Sequence, residues 1–314
     1  MAHDAQTEEI RSDNVSGAQQ LTEKIVRLMV DRFEPRKLSA RQSKHILIEM
    51  ARTFIHAQPA MAPVINLFNH LFNRLEPAQA RLATGRSLSE AARGFARAMA
   101  QHTNEISAQL FALVRNENVV LTHSASQAVR EGLNFCWMRG RRFSVICTES
   151  RPVFEGASLA RAFAAQGIPT CLVTDAQAFP LLKGEIEFRG KISLVLVGAD
   201  SVSRQGVTNK TGTLGLALAA RSWSIPFYVL AGSEKFLPAA YPVQQAIQPK
   251  PAEEILSSPP QGLTVLNRYF DVTPLPYVTA FVTEEGRLSQ RQSTARLAKL
   301  ALHPLLAKIV QQVL

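Results

Sequence analysis

NVVLTHSASQAVREGLNFCWMRGRRFSVICTES, residues 118–150, is the stretch from which the fold follows. Its ends, Val119–Thr122 and Phe143–Cys147, are short runs rich in β-branched and aromatic residues, and Gln127–Met138 between them suits a helix. Strand, helix and strand at this spacing predict a parallel βαβ unit. The pattern continues downstream. Strands are expected at Thr170–Val173, Ile192–Val197, Phe227–Leu230 and Val278–Val282, with a helix at Glu155–Gln166 that Gly167 and then Pro169 would stop. The fold class is therefore α/β and doubly wound, and such sheets bind ligands in the crevice beyond the carboxyl ends of their strands.

Upstream of this unit the periodicity is helical. Leu21, Ile25, Leu28 and Met29 share one helical face, and residues 38–57 read the same way. Ser87 with Glu90 suggests a capping box, opening a helix whose Ala91, Phe95, Met99, Ile106, Leu110 and Leu113 form an apolar stripe. The expected organisation is a flexible, polar N-terminus over residues 1–20, a helical domain over 21–115 and a parallel-sheet domain over 116–314. Residues 238–260 hold six of the 17 prolines and predict an extended surface excursion, after which the sheet should resume near Leu263. From Arg287 to Leu314 the chain reads as helical, with a kink at Pro304.

Composition narrows the function classes. The chain has 314 residues, 46% of them hydrophobic and 19% charged, as expected of a folded globular protein. Three cysteines, Cys136, Cys147 and Cys171, cannot all pair within one chain and match no zinc spacing, so reduced thiols and a cytoplasmic location are expected. The first residues have no apolar core of the kind a secretory signal needs, and no apolar run is long enough to span a bilayer. The net charge of +10 favours an anionic partner, and most of the excess follows residue 114, in the half that carries the strands. Aromatic residues are only 7% of the chain and no nucleic-acid signature is present, which argues for a small phosphate ester over a nucleic-acid backbone. No metal or cofactor site is implied.

Three polar clusters fall at expected strand ends. Thr122, His123, Ser124 and Ser126 follow the first strand, where small hydroxyls and free helix N–H groups suit a phosphate, although an ordinary helix cap would look the same. His123 beside Ser124 makes a poor nucleophile pair, because neighbouring side chains at a strand end point to opposite faces. Thr148, Glu149, Ser150 and Arg151 follow the second strand, and the Arg151 fork matches a phosphate or else a loop ion pair. Asp200 follows the fourth. Asn209 and Lys210 come just before Thr213, and together these groups suit a hydroxylated anion.

The motifs VLTHSAS (120–126), TESRP (148–152), EGASLARAFAAQGIPTCLVTD (155–175), VGAD (197–200), NKTGT (209–213), PFYVLA (226–231) and NRYFDVTP (267–274) occur in an order that resembles one superfamily. It comprises the initiation factor 2B alpha, beta and delta subunits, methylthioribose-1-phosphate isomerase and ribose-1,5-bisphosphate isomerase. PAMAPVINLFNHL (59–71) is similar to its helical-domain motif. The resemblance implies an N-terminal helical domain followed by a Rossmann-like parallel-sheet domain, a sugar-phosphate pocket between them, and a homodimer or larger homo-oligomer. It also implies catalytic positions at Asp200 and Ser124, and ligand-binding positions at Ser124, Ser126, Arg151, Asn209 and Lys210.

The sequence departs from the superfamily's isomerases at two positions. Ser124 stands where they carry a cysteine, and a serine hydroxyl is a far poorer base than a thiolate unless a partner activates it. Gln58 stands where they usually have an arginine. The segment from Asp200 to Asn209 is also one residue shorter than the family norm. These departures resemble the regulatory subunits and imply a binding protein for a phosphorylated sugar or nucleotide, with an aldose-phosphate isomerase and a translation-regulatory assembly subunit as the alternatives.

Overall fold

Apolar stripes at helical spacing fold the first third of the chain into a bundle. The computed structural model describes residues 2–13, 16–34, 38–75, 84–185 and 187–314. Helices α1 (Ala2–Arg11), α2 (Ala18–Phe33), α3 (Ala40–Ala57), α4 (Ala62–Asn73) and α5 (Gly85–Phe111) bury Leu21, Ile25, Phe54, Phe68 and Phe72 in one core. Ser39 and Gln42 close a reciprocal capping box at α3. The expected box at Ser87 does not form. Thr84 caps α5 by accepting the Ser87 N–H, while Glu90 pairs with Arg86.

The sheet follows as β1 (Val119–His123), α6 (Gln127–Met138), β2 (Ser144–Thr148), α7 (Glu155–Ala165), β3 (Thr170–Val173), α8 (Ala178–Lys183) and β4 (Leu194–Val197). After β5 (Ser201–Ser203), β6 (Gly206–Lys210) and α9 (Thr213–Ser222), the parallel sheet continues with β7 (Phe227–Leu230). Then come α10 (Val243–Ala246), β8 (Phe270–Thr273), β9 (Ala280–Thr283), β10 (Gly286–Leu288), α11 (Gln290–Lys299) and α12 (Pro304–Val313).

The strand order β10-β9-β7-β4-β1-β2-β3 is parallel except for β10. Strands β1 and β2 are buried throughout, as a sheet covered on both faces requires. The long helix α5 joins the two parts, packing on α2 within the bundle and on α6 beside the sheet. Its Ile106 and Leu110 enter the core on one face of the sheet.

Several expectations need correction. Residues 2–11 of the stretch read as flexible form a helix whose Ile10 is buried in the bundle; residues 1, 14 and 15 lie outside the described set. A second, antiparallel sheet of order β5-β6-β8 escaped the sequence reading, because its strands SVS, GVTNK and FDVT lack apolar alternation. The large sheet resumes at Ala280 rather than near Leu263. The proline-rich excursion is only partly superficial. Tyr241, Val243 and Ala246 sit in the helical core, with the Tyr241 hydroxyl donating to the Pro59 carbonyl at 2.6 Å. Pro304 begins a separate helix, as suits a residue with no N–H to donate, and α12 packs on α3 and α4.

Candidate functional site

The ends of β1, β4 and β7, the strand β6, the start of α7 and the helical layer together enclose a cavity of about 220 Å³. At the end of β1, the buried His123 is a structural residue. Its Nε2–H donates to the Thr211 carbonyl at 3.0 Å, so Nδ1 accepts from the Thr148 hydroxyl at 2.6 Å, and burial lowers its pKa. Ser124, next along, adopts the left-handed region at φ 67°. Its N–H donates to Ser150 Oγ at 2.8 Å, and its hydroxyl donates to Glu155 Oε1 at 2.9 Å. Ser126 caps α6 by accepting the Val129 N–H, and a Cβ at Gly198 would lie 2.3 Å from its Oγ, so the β1 and β4 ends meet only because residue 198 has no side chain.

Glu155 is the first residue of α7, and the Lys210 ammonium lies 2.9 Å from the same Oε1. Lys210 is almost fully buried and also sits over the Tyr269 ring, 4.5 Å from its centroid. Asn209 donates to the Thr213 hydroxyl at 3.0 Å. Both residues lie on β6, and they are anchored by pairing with Asp271 and Phe270 on β8. Asp271 in turn accepts N–H bonds from Gly212 and Leu214 at the start of α9, and burial pushes its pKa up to about 6 against those bonds.

Asp200 follows β4, where its carbonyl accepts the Ala62 N–H at 2.9 Å, fixing the start of α4 to the sheet. Its recessed position raises its pKa, opposed by the positive charges of Lys235 and Lys210. The Lys235 pKa is lowered by the same desolvation, with Asp200 and Glu234 acting in the other direction. Among the described residues, the Lys235 ammonium has no ion-pair partner within 4 Å and no side-chain hydrogen bond.

The helical layer closes the opposite side. Residues 16–20 and Gln58, Met61, Thr103 and Ile106 line the cavity. Helix α2 starts at Gly17 with no side-chain cap, so the N–H groups of its first turn are available to an anion. Gln58 donates to the Asp13 carbonyl at 2.9 Å, tying the chain just before α2 to the end of α3.

Ser124, Ser126, Asp200, Asn209 and Lys210 are thus brought together, and Arg151 is not. Its backbone N–H is held by Asp175 Oδ2 at 2.9 Å, and its exposed side chain turns outward over Phe154 to donate to the Ile255 carbonyl at 3.4 Å. Arg151→Ala is therefore expected to change the Kd of a phosphorylated ligand by no more than about twofold, as for a surface substitution. Titration calorimetry checks it.

Sequence reasoning missed Lys235, Lys250, Tyr269, the α2 N-terminus and the role of Glu155. Lys235 lies just beyond the end of β7, so the strand-end rule applied to that strand would have found it. Lys250 lies on the proline-rich excursion, and nothing local marks it.

Glu234, the third cavity acid, belongs to a support. The His102 ring on α5 donates from Nδ1 to Glu234 Oε2 at 2.8 Å, while the Glu234 carbonyl accepts from Asn66 on α4 at 2.8 Å. The Glu234 carboxylate raises the His102 pKa, so this bond stabilises the fold fully below the ordinary histidine value and is lost as pH rises through the elevated folded value. His102→Gln is expected to lower stability by about 1 kcal/mol at pH 5.5 and by much less at pH 8.5. Urea titrations at the two pH values measure the difference.

A helical layer on a mostly parallel, doubly wound sheet, with a cation-lined cavity at the strand ends, defines a Rossmann-like α/β architecture. The model of the initiation factor 2 subunit family matches residues 14–290, and the chain belongs to that family. It is 31% identical over 284 residues to the translation initiation factor eIF-2B subunit 2-like protein of Pyrococcus furiosus, covering 89% of this chain and 93% of that one. A methylthioribose-1-phosphate isomerase of Heliobacterium modesticaldum is 40% identical over 156 residues, 47% of this chain and 44% of that protein. The crystal structure of the Pyrococcus horikoshii OT3 translation initiation factor eIF-2B superposes with a TM-score of 0.78 at 29% identity, covering 91% of this chain and 96% of that one. Among the described residues no helix is long and apolar enough to cross a membrane.

Proposed function

We propose that this chain captures a small phosphorylated sugar or nucleotide in the cavity between the bundle and the sheet, as a regulatory binding protein. The observation that carries the reading is that the Lys235 ammonium, without an ion-pair partner among the described residues, and the uncapped α2 N-terminus line one cavity that also holds Asp200. The phosphate would lie against Lys235 and the N-termini of α2 and α6, with Ser124 and Ser126 nearby. Asp200 and Asn209 would take sugar hydroxyls. A cavity of about 220 Å³ suits a pentose phosphate better than a dinucleotide. We assign the working form to a homodimer or larger assembly, consistent with the exposed Leu263 and Leu266 just after the proline-rich excursion.

Calorimetry with ribose, hexose and nucleoside phosphates tests this reading. At least one is expected to bind with a micromolar or lower Kd, and no binding by any of them would overturn it.

A second reading, an aldose-phosphate isomerase, is favoured by one feature. The cavity holds two carboxylates, Asp200 and Glu155, both within reach of the Lys210 charge. A relative named methylthioribose-1-phosphate isomerase adds weight to it.

A further inference from the structure

Three acids line the cavity, and Glu234 is already engaged by His102. Glu155 is held differently. Both of its partners, the Ser124 hydroxyl and the Lys210 ammonium, meet Oε1 at 2.9 Å. Its Oε2 is shielded from solvent and, among the described residues, accepts no hydrogen bond. A shielded carboxylate oxygen with no donor is costly in a resting protein. It suits a base, because one oxygen is fixed and the other is left to accept a proton. Ser124 donates to Glu155 and so is a positioning residue, not itself the base. Lys210 lies close enough for its charge to act on both Glu155 and Asp200.

We propose that Glu155 and Asp200 are a proton-transfer pair acting on an aldose 1-phosphate, an inference that rests on the isomerase reading. In the first step Glu155 takes the hydrogen from C2, and the C2–H electron pair becomes the C1=C2 double bond. The C1–O bond to the ring oxygen breaks, and that oxygen takes the proton of the Asp200 carboxyl. In the second step the proton on Glu155 returns to C1 while the Asp200 carboxylate removes the proton of the C2 hydroxyl, leaving a C2 carbonyl. The product is the open-chain ketose 1-phosphate. Both carboxyl groups regain their starting states, the phosphate ester is untouched, and no oxidant or reductant is consumed. The raised pKa of Asp200 fits a group that begins as the acid.

The test uses the full chain with methylthioribose 1-phosphate, 5-deoxyribose 1-phosphate and ribose 1,5-bisphosphate, following ketose formation by NMR and binding by calorimetry. The wild type is expected to convert at least one of them. Glu155→Gln should bind it within about threefold of the wild-type Kd and lose at least about 100-fold in kcat, as loss of a general base would do. Ser124→Ala should lose about tenfold in kcat, with an altered acid limb of the pH profile. If Glu155→Gln does not fold, Glu155→Asp carries the test, with kcat down at least about tenfold and KM within about threefold.

Wild-type kcat in folded Glu155→Gln, or in Glu155→Asp, overturns the assignment of Glu155 while leaving the isomerase reading intact. Binding without conversion of any of the three compounds overturns both and leaves the binding reading standing. An absence of binding overturns all three.

Discussion

Gly156→Ala is expected to destabilise the protein by about 3 kcal/mol, at the upper end of ordinary overpacking costs. A Cβ at this position would lie 2.0 Å from the Thr148 carbonyl oxygen, 2.6 Å from Ser150 Oγ and 3.2 Å from the Glu149 carbonyl carbon. Two of those three atoms are backbone at the end of a fully buried interior strand, so α7 must move away from β2. Glu155 moves with it, leaving Ser124 and Lys210 without their shared acceptor. The melting temperature should therefore fall by roughly 6–10 °C, the scale for a domain of this size. Ligand affinity should drop in the same variant. Gly94 provides the control, since it lies within α5 and a Cβ there meets nothing within 4 Å. Gly94→Ala should stabilise by about 0.5–1 kcal/mol through helix propensity and chain entropy alone. Differential scanning calorimetry of the two variants should give shifts of opposite sign, and equal shifts would remove the steric argument.

The parts of the fold that could be read from sequence are those where burial imposes a period. Val119–Leu121 and Val145–Cys147 are continuous apolar runs because both faces of the sheet are covered, and α6 begins and ends where its pattern does. The strand-end rule then led to Ser124, Ser126 and Asp200 without any knowledge of tertiary contacts. Where the rule failed, the physics is local. Strand β6 is mostly polar because it forms part of a cavity wall, so no strand is legible at Asn209 and Lys210. Arg151 has suitable chemistry and lies at a suitable strand end. A side chain's direction there depends on backbone turns such as Ser150 at φ 64° and on Asp175, 24 residues further on, gripping the Arg151 N–H. Neither leaves a mark in the local pattern. The Glu155 and Lys210 pair joins residues 55 positions apart, and only the folded chain brings them together.

That pair decides which cation remains for a ligand. Lys210 already faces a carboxylate at 2.9 Å and the Tyr269 ring, so an incoming phosphate would compete with Glu155 for it. Among the described residues Lys235 has no carboxylate within ion-pair distance, and Asp200 and Glu234 act on its charge only from further away. Its turn is set by the Asn66 bonds from α4 to the Glu234 and Phe236 carbonyls, so the helical bundle positions the lysine that the sheet carries. Ligand binding and docking of the two layers should therefore be coupled through residues 233–236.

Lys235→Met is accordingly expected to raise the Kd of a phosphorylated sugar by about 100-fold, the scale of one charge-assisted hydrogen bond lost in a shielded site. The fold should not suffer in proportion, because the substitution also removes a charge that the site desolvates at a cost. A melting temperature within about 2 °C of wild type is expected, corresponding to no more than about 1 kcal/mol. Lys210→Met should behave in the opposite way, losing about 3 kcal/mol of stability because the partly buried Glu155 carboxylate is left without its cation. The pH dependence separates the two lysines further. Desolvation lowers the Lys235 pKa, so the ammonium that binds phosphate is present below that lowered value and is lost as pH rises through it, before an ordinary lysine would titrate. Calorimetry from about pH 6 to about pH 10, spanning the range below the ordinary lysine value, should show affinity weakening on the alkaline side in the wild type. In Lys235→Met the alkaline weakening should be smaller, what remains coming from Lys250, which lines the same cavity and whose pKa burial also lowers. A Lys235→Met variant that binds as tightly as wild type would move the phosphate away from residue 235 and towards Lys210.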